Sequence, residues 1–256
     1  MRLRSLIGTS LFAAAAAVCV AGTAGAQGKV VVSHDEWFTS EGNFNGNEQQ
    51  FVKNATQWFN IGGGSILINS TDGFLANTGF TNYLEGLGFT VTTSASATSF
   101  TSYSAVFVEG NPTFNASGLA DYVRGGGNVF YIGGTGVDGA PTEASYSNVF
   151  LNQFGLSFAS SYNGLGTINT TGFDTQGPFG AALFTDVSSV FANNGNDVLH
   201  SAAVAGVTNQ VFYTTGQDGV FGAAEVTTTP EPGSLALLGT GLIGLVPLVR
   251  RRKRNS

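Results

Sequence analysis

Short, nearly unbroken apolar runs alternate along this chain with stretches in which apolar residues return every three or four positions. Val30-Val31-Val32 is the first run, and it leads into Ser33-His34-Asp35-Glu36-Trp37 and a Gly/Asn loop. Phe51, Val52, Ala55, Trp58 and Phe59 follow at helical spacing, with Asn47 and Gln50 as a start and Gly62-Gly63-Gly64 as a stop. Ser65 to Ile68 is a second run. Phe80, Tyr83, Leu84 and Leu87 repeat the helical spacing up to Gly88, and Phe89 to Thr93 is a third run. Ala105 to Val108, ending at Glu109, is the fourth, and Asn128 to Ile132, ending at Gly133-Gly134, the fifth. Between these two, Asn115 caps a helix through Leu119, Tyr122 and Val123 that Gly125-Gly126-Gly127 ends. Tyr146, Val149, Phe150 and Phe154 suggest another helix, stopped by Gly155.

Strands that are apolar throughout are buried on both faces. Their alternation with helices predicts an α/β domain with a mainly parallel sheet covered on both sides. Val30–Val32, Ile66–Ile68, Ala105–Val108 and Val129–Ile132 are the expected central strands, with Trp58, Phe59, Leu84, Leu119 and Val123 buried. An all-β sandwich is the alternative for a chain this rich in Thr, Gly and Phe. Beyond Gly155 the period is lost. Ala181 to Phe184, Val198-Leu199 and Val211 to Tyr213 read as extra strands near the sheet edge, and Val226 to Thr229 as a short linker. No second domain and no internal repeat is visible.

The two ends obey different rules. Residues 1–26 have the layout of an export signal: Arg2 and Arg4, a short apolar core from Leu11 to Val20, and Ala24-Gly25-Ala26 as a small-x-small cleavage pattern. Sec translocation and signal-peptidase cleavage after Ala26 are the expectation; a membrane helix is the weaker reading, because the apolar run is short. At the other end stand Pro230-Glu231-Pro232, then Gly233 to Val249 without a charge, then Arg250-Arg251-Arg252-Lys253-Arg254. Seventeen uncharged residues make a helix about 25 Å long, at the short end for a bilayer core. The basic residues behind it would stay cytoplasmic. The two prolines hold an extended peptide just outside the membrane. A plain C-terminal anchor has the same physics.

Those three parts in that order, over Pro230 to Arg254, resemble the PEP-CTERM sorting signal of Gram-negative bacteria. The resemblance implies a transmembrane helix in residues 230–256 that anchors the precursor transiently in the inner membrane. It also implies exosortase as the enzyme that reads the Pro-Glu-Pro region and removes the tail. The mature protein would then sit at the cell surface or outside the cell, often with secreted polysaccharide (exopolysaccharide, biofilm matrix).

Removing both ends leaves residues 27–229, long enough for one domain with a real core. Three positive side chains remain, Lys29, Lys53 and Arg124, against 15 negative ones, a net charge of −12. Such acidity argues against nucleic-acid binding and for solubility or cation-mediated contact outside the cell. The sole cysteine is Cys19, inside the export signal, so the domain has no disulfide, thiolate metal site or cysteine nucleophile. Sequons at Asn54, Asn69, Asn115 and Asn169 are read as coincidence in a chain rich in Asn and Thr.

Leu119 to Gly134, a helix, three glycines and a strand, resembles the corresponding unit of class I glutamine amidotransferase-like domains. The likeness extends over about Lys29 to Phe158 and implies a flavodoxin-like three-layer α/β sandwich. Active members carry a cysteine at the turn that is Ile132-Gly133-Gly134-Thr135 here; the nucleophile is missing, so their thiol chemistry does not carry over. Gly134-x-Gly136-x-x-Gly139 follows the fifth strand rather than the first and lacks an acid about 20 residues on, so it reads as a glycine loop. Asn193 to Asp197 has oxygen ligands enough for weak calcium binding but lacks the spacing of an EF-hand loop, so it reads as a turn, and His200 reads as a surface residue.

Open α/β sheets bind ligands beyond the carboxyl ends of their strands. His34, Asp35, Glu36, Asp72 and Glu109 all fall there. Together they could hold a divalent cation or do acid–base work; in an acidic protein they could equally be solvated loop ends. No cofactor motif is present. Two functions follow: a non-catalytic surface or matrix protein, or a secreted metal- or carboxylate-dependent hydrolase acting on polysaccharide.

Overall fold

A computed structural model describes residues 27–70, 72–109, 114–173 and 177–227. The signal residues Ala24 and Ala26 and the whole of Pro230 to Arg254 lie outside them. Among the described residues no helix is long and apolar enough to cross a membrane.

The chain runs through β1 (Gly28–Ser33), a 3-10 turn (Glu36–Thr39), α1 (Gly46–Phe59), β2 (Ser65–Asn69), α2 (Thr78–Gly86) and β3 (Thr90–Thr93). It continues through β4 (Ala105–Glu109), α3 (Ala116–Arg124), β5 (Asn128–Ile132), α4 (Ala140–Leu151), β6 (Leu156–Tyr162) and β7 (Thr167–Asn169). The last part is α5 (Gly180–Phe184), β8 (Ser189–Phe191), β9 (Asn196–His200), β10 (Val207–Tyr213) and β11 (Gly219–Val226). Seven strands form the main sheet in the order β10-β11-β1-β5-β4-β2-β3. The five from β1 to β3 are mutually parallel, and β11 joins β1 antiparallel, with Val31 opposite Ala223 on one side and Phe130 on the other. β6 pairs with β9, and β7 with β8, as small separate sheets.

The apolar strands alternate strictly, one side chain to each face. Val31, Ile66, Ile68, Phe107, Phe130 and Ile132 pack under α1 and α2, against Phe51, Val52, Phe80 and Leu84. Val30, Val32, Leu67, Val106, Val108, Val129 and Tyr131 pack on the opposite face under α3 and α4, against Leu119, Val123, Phe150 and Leu151. The expectation of a mainly parallel α/β sheet with those four central strands therefore holds, and the all-β alternative does not. The first face is held by an aromatic cluster around Phe51, whose ring centroid lies 4.6 Å from Phe221, 5.1 Å from Phe184 and 5.5 Å from Phe38.

Local signals worked where capping chemistry was complete. Asn115 Oδ1 accepts the Gly118 N–H at 3.0 Å and starts α3, and Asn77 does the same for α2 through the Phe80 N–H at 2.8 Å. Asn47 does not start α1. The helix begins one residue earlier, and Asn47 instead accepts from Ser188 N at 3.0 Å. Asn54 and Asn69 are buried, and Asn54 donates to Leu183 O and Thr185 O, so those two sequons are inaccessible in the folded chain.

Three expectations fail. Ala181 to Phe184 is not a strand but lies in the short helix α5, because its buried pair Leu183 and Phe184 must reach the aromatic cluster from one side. Trp58 is half-buried rather than core: its ring lies under the Lys29 ammonium, 5.1 Å away, while Nζ donates to Trp58 O at 2.6 Å. Val226 ends strand β11 rather than opening a linker.

Replacing Phe51 by Ala should cost about 3–5 kcal/mol, since the cavity opens at the centre of this cluster. Val137→Ala, at a side chain 71% exposed, should cost less than about 0.5 kcal/mol. Urea unfolding of the two variants beside the parent checks both.

Candidate functional site

β1 and β2 lead into α1 and α2 on one face of the sheet, whereas β4 and β5 lead into α3 and α4 on the other. The chain therefore departs in opposite directions at two neighbouring pairs, β1/β5 and β2/β4. Each such reversal leaves a crevice beyond the carboxyl ends of the strands. Each of four strands brings an acid to this end: Glu36 after β1, Asp72 after β2, Glu109 at the end of β4, and Glu143 in the first turn of α4 after β5.

Glu36, Asp72 and Glu109 converge. Each offers a carboxylate oxygen, and these oxygens lie within 4.8 Å of one another. Glu36 and Glu109 are buried, at 3% and 1% exposure, and Asp72 is half-buried at the rim. Ser70 donates its hydroxyl to Glu109 Oε2 and also accepts the Asp72 N–H at 2.9 Å, which ties the β2 loop to β4. Asn77 Nδ2 donates to Thr39 O at 2.8 Å and clamps the Glu36–Thr39 turn against the same loop. Glu36 Oε2 and Glu109 Oε1 accept no hydrogen bond from a neighbouring donor, and the two carboxyls can be joined only by a proton of their own.

No cation answers these charges. The two ion pairs among the described residues are Lys29–Glu225 and Arg124–Asp121, neither of them at this end. Burial first, then the charges of Asp72 and Glu109, raises the Glu36 carboxyl far above the ordinary carboxyl range. Burial likewise raises Glu109, against the lowering effect of the Ser70 hydroxyl. Both shifts run in the direction that favours one shared proton over two buried charges.

Glu143 extends the cluster. Its Oε1 accepts the Thr135 hydroxyl at 2.7 Å, while Oε2 is buried and unpartnered. Tyr146 and Tyr162 stand beside it. The hydroxyls of both are pushed up, by burial first and then by Glu143, with a smaller contribution from Glu36. Glu143 escaped the sequence reading although it obeys the rule that found Glu109: it follows a parallel strand at its carboxyl end.

His34 and Asp35 belong elsewhere. Asp35 is fully buried and is not one of the three converging acids. Its carboxylate accepts the Trp37 N–H at 3.1 Å, the Asn194 N–H at 3.2 Å and the Asn193 N–H. Burial raises its pKa, and those backbone donors hold the rise down. The His34 ring faces Phe221 edge-on, and its Nδ1 lies 2.9 Å from Val220 O, which makes Nδ1 the protonated nitrogen. Burial lowers its pKa to about 4. The backbone here is crossed so tightly that a Cβ on Gly134, at φ +68°, would lie 2.3 Å from His34 O and 2.6 Å from Gly195 Cα. These two residues weld the β1 and β5 ends to the Asn193–Asn196 segment; they do not line the crevice.

Trp37 and Phe74 cap the same two loops. Their rings are 5.2 Å apart, and Trp37 is 40% exposed. Two concavities, of about 490 and 420 Å³, lie at the opposite end of the sheet, around Tyr103 and Gly125–Gly127 and around Asn60–Gly63. Neither gathers converging titratable groups, so the buried carboxylates are the better candidate.

Comparison with known families adds one finding. Residues 228–254 match the family model for the PEP-CTERM protein-sorting motif, which supports exosortase as the partner that reads this segment. No curated protein and no solved structure matches the chain.

The pH dependence of stability should have two limbs. A carboxyl raised on folding stabilises fully below its unfolded value and loses that contribution as pH rises through its folded value. His34, lowered on folding, stabilises above about 6.5 and loses its contribution as pH falls towards about 4. Glu109→Gln should therefore gain at least about 1 kcal/mol at pH 8 in the presence of chelator, with the gain vanishing by about pH 4. Thermal unfolding across that range measures it.

Proposed function

We propose that this is an exported surface or matrix protein, processed by exosortase, whose α/β domain binds extracellular polysaccharide without transforming it. The observation that carries the reading is the sorting motif at residues 228–254. That motif implies export and a membrane-anchored precursor, in keeping with the export-signal layout read in residues 1–26. The scaffold is read as amidotransferase-like, in a flavodoxin-like three-layer arrangement. Thr135 stands in the turn after β5 where that chemistry needs a thiol, and its hydroxyl is bonded to Glu143.

A glycan fits the mouth chemically. Trp37, propped by Phe74, offers a flat aromatic face to a sugar ring, and the rim carboxylate of Asp72 offers acceptors to hydroxyls. The acidic surface keeps such a protein dispersed outside the cell.

A hydrolase remains the second reading, favoured by one observation: two buried carboxyls, Glu36 and Glu109, stand together at the mouth, where burial raises both. Turnover of a polysaccharide, abolished in Glu36→Gln or Glu109→Gln, would establish that reading instead.

Two measurements test the proposal. Intact mass of the native protein from exosortase-competent cells should show loss of residues 1–26 and cleavage near Pro230-Glu231-Pro232; a species retaining residues 233–256 would leave a plain tail anchor. Glycan-array binding by the full-length chain should weaken in Trp37→Ala by about 1–2 kcal/mol, roughly five- to thirtyfold. Binding indifferent to Trp37 would remove this mouth from the account.

A further inference from the structure

The three acids at the mouth are arranged for something more specific than general acidity. We infer that Glu36, Asp72 and Glu109 form a binding site for one divalent cation of the calcium class. This inference holds whether or not the mouth binds glycan.

The geometry argues it first. Calcium takes oxygen ligands at about 2.3–2.6 Å, so ligands on opposite sides of the ion are about 4.6–5.2 Å apart. Oxygens that all lie within 4.8 Å of one another already fit around such an ion. Magnesium is strict in its octahedron and gives up its waters reluctantly, so a set of three protein carboxylates from separate chain segments suits the larger, more tolerant calcium ion better. The three residues come from three different loops, which Ser70 and the Asn77–Thr39 bond hold in place. The site is therefore a built feature of the sheet end and not a run of acids along one surface helix.

The unpartnered oxygens argue it second. Glu36 Oε2 and Glu109 Oε1 are buried without a donor, and so is Oε2 of Glu143, which lies outside the trio. A buried acceptor without a donor is costly, and a buried anion more so. No Lys or Arg of the domain is within reach to neutralise them, since Lys29 and Arg124 are engaged elsewhere and Lys53 lies along α1. A hard cation supplies the missing charge and takes up the free oxygens at once.

The donor types argue it third. Every candidate ligand is an oxygen: three carboxylates, the Ser70 hydroxyl and water. The domain has no cysteine, and the His34 ring is directed to Val220 and Phe221. An all-oxygen set selects hard ions over zinc or copper. With only three protein carboxylates, solvent completes the shell through the half-buried Asp72 rim, and affinity falls in the range of extracellular calcium modules, about 0.1–1 mM.

The test uses the purified full-length chain stripped with chelator. Calorimetric titration with CaCl₂ should show one saturable event per chain. It should weaken at least about tenfold in Glu109→Gln and in Asp72→Asn, and stay unchanged in Asp121→Asn, an exposed acid on α3 away from the mouth. Terbium should bind competitively with calcium and show emission sensitised by Trp37. With excitation at the red edge, where tyrosines such as Tyr146 and Tyr162 do not absorb, that emission should be lost in Trp37→Phe with calcium affinity retained, because the only other tryptophan, Trp58, lies at the far end of α1. A normal thermal transition without metal shows each variant to be folded; if Glu109→Gln is not, Asp72→Asn at the rim carries the test. No saturable binding up to about 10 mM, beyond the weakest extracellular calcium sites, would overturn the inference. So would binding that is equal in all variants, or magnesium binding tighter than calcium.

Discussion

Negative charge buried without a positive partner is the constraint on which this structure turns. Most proteins avoid it, because an ion taken out of water must be repaid by a counterion or by donors. Here the domain carries three cationic side chains, and two of them are spent on ion pairs elsewhere. Asp35 meets the cost with backbone N–H groups. Glu48 does the same, its Oε1 accepting the Phe191 N–H at 2.8 Å. Glu36 and Glu109 are answered only in part, by the Ser70 hydroxyl on Glu109 Oε2, and each keeps one buried oxygen without a donor, which marks their position as one kept for binding or chemistry and not for stability.

The rest of the fold explains how such a position is tolerated. A sheet sealed on both faces by phenylalanine-rich layers gives a rigid floor, and the carboxylates stand at its end, where the backbone already has to turn. The clamps that hold them are neutral: a serine hydroxyl, an asparagine amide, and glycines that let three chain segments cross at His34, Gly134 and Gly195. Affinity for a cation and tolerance of the bare acids then share one physical origin. Whatever neutralises the cluster also stabilises the loops that form it.

Much of this was legible in the residues. Apolar runs bounded by glycine placed the five parallel strands, and the rule that parallel sheets bind at their carboxyl ends gathered His34, Asp35, Glu36, Asp72 and Glu109 into one group, of which Glu36, Asp72 and Glu109 converge. What failed to show has physical reasons. Asp35 adjoins Glu36 in sequence, but its partners at Asn193 and Asn194 arrive from about 158 residues away, and no local pattern announces them. β11, Gly219-Val-Phe-Gly-Ala-Ala-Glu-Val, has the small residues of a poor strand former. They are small because β9 lies against it: a Cβ on Gly219 would sit 1.8 Å from Val198 O. Ala181 to Phe184 is too short an apolar run for periodicity to separate helix from strand.

The claim at the centre is that two glutamates share a buried, cation-free environment until an ion enters it. Carbon-13 spectra of the side-chain carboxyls, assigned with Glu36→Gln and Glu109→Gln and followed from pH 3 to pH 10, read this directly. Without metal, both resonances should titrate above the ordinary glutamate range and be mutually dependent, each shifting when the other residue is neutralised. With saturating calcium both should fall to or below that range. Independent titration of the two at ordinary glutamate values in the metal-free chain would contradict the account, since the carboxyls would then be neither buried nor together.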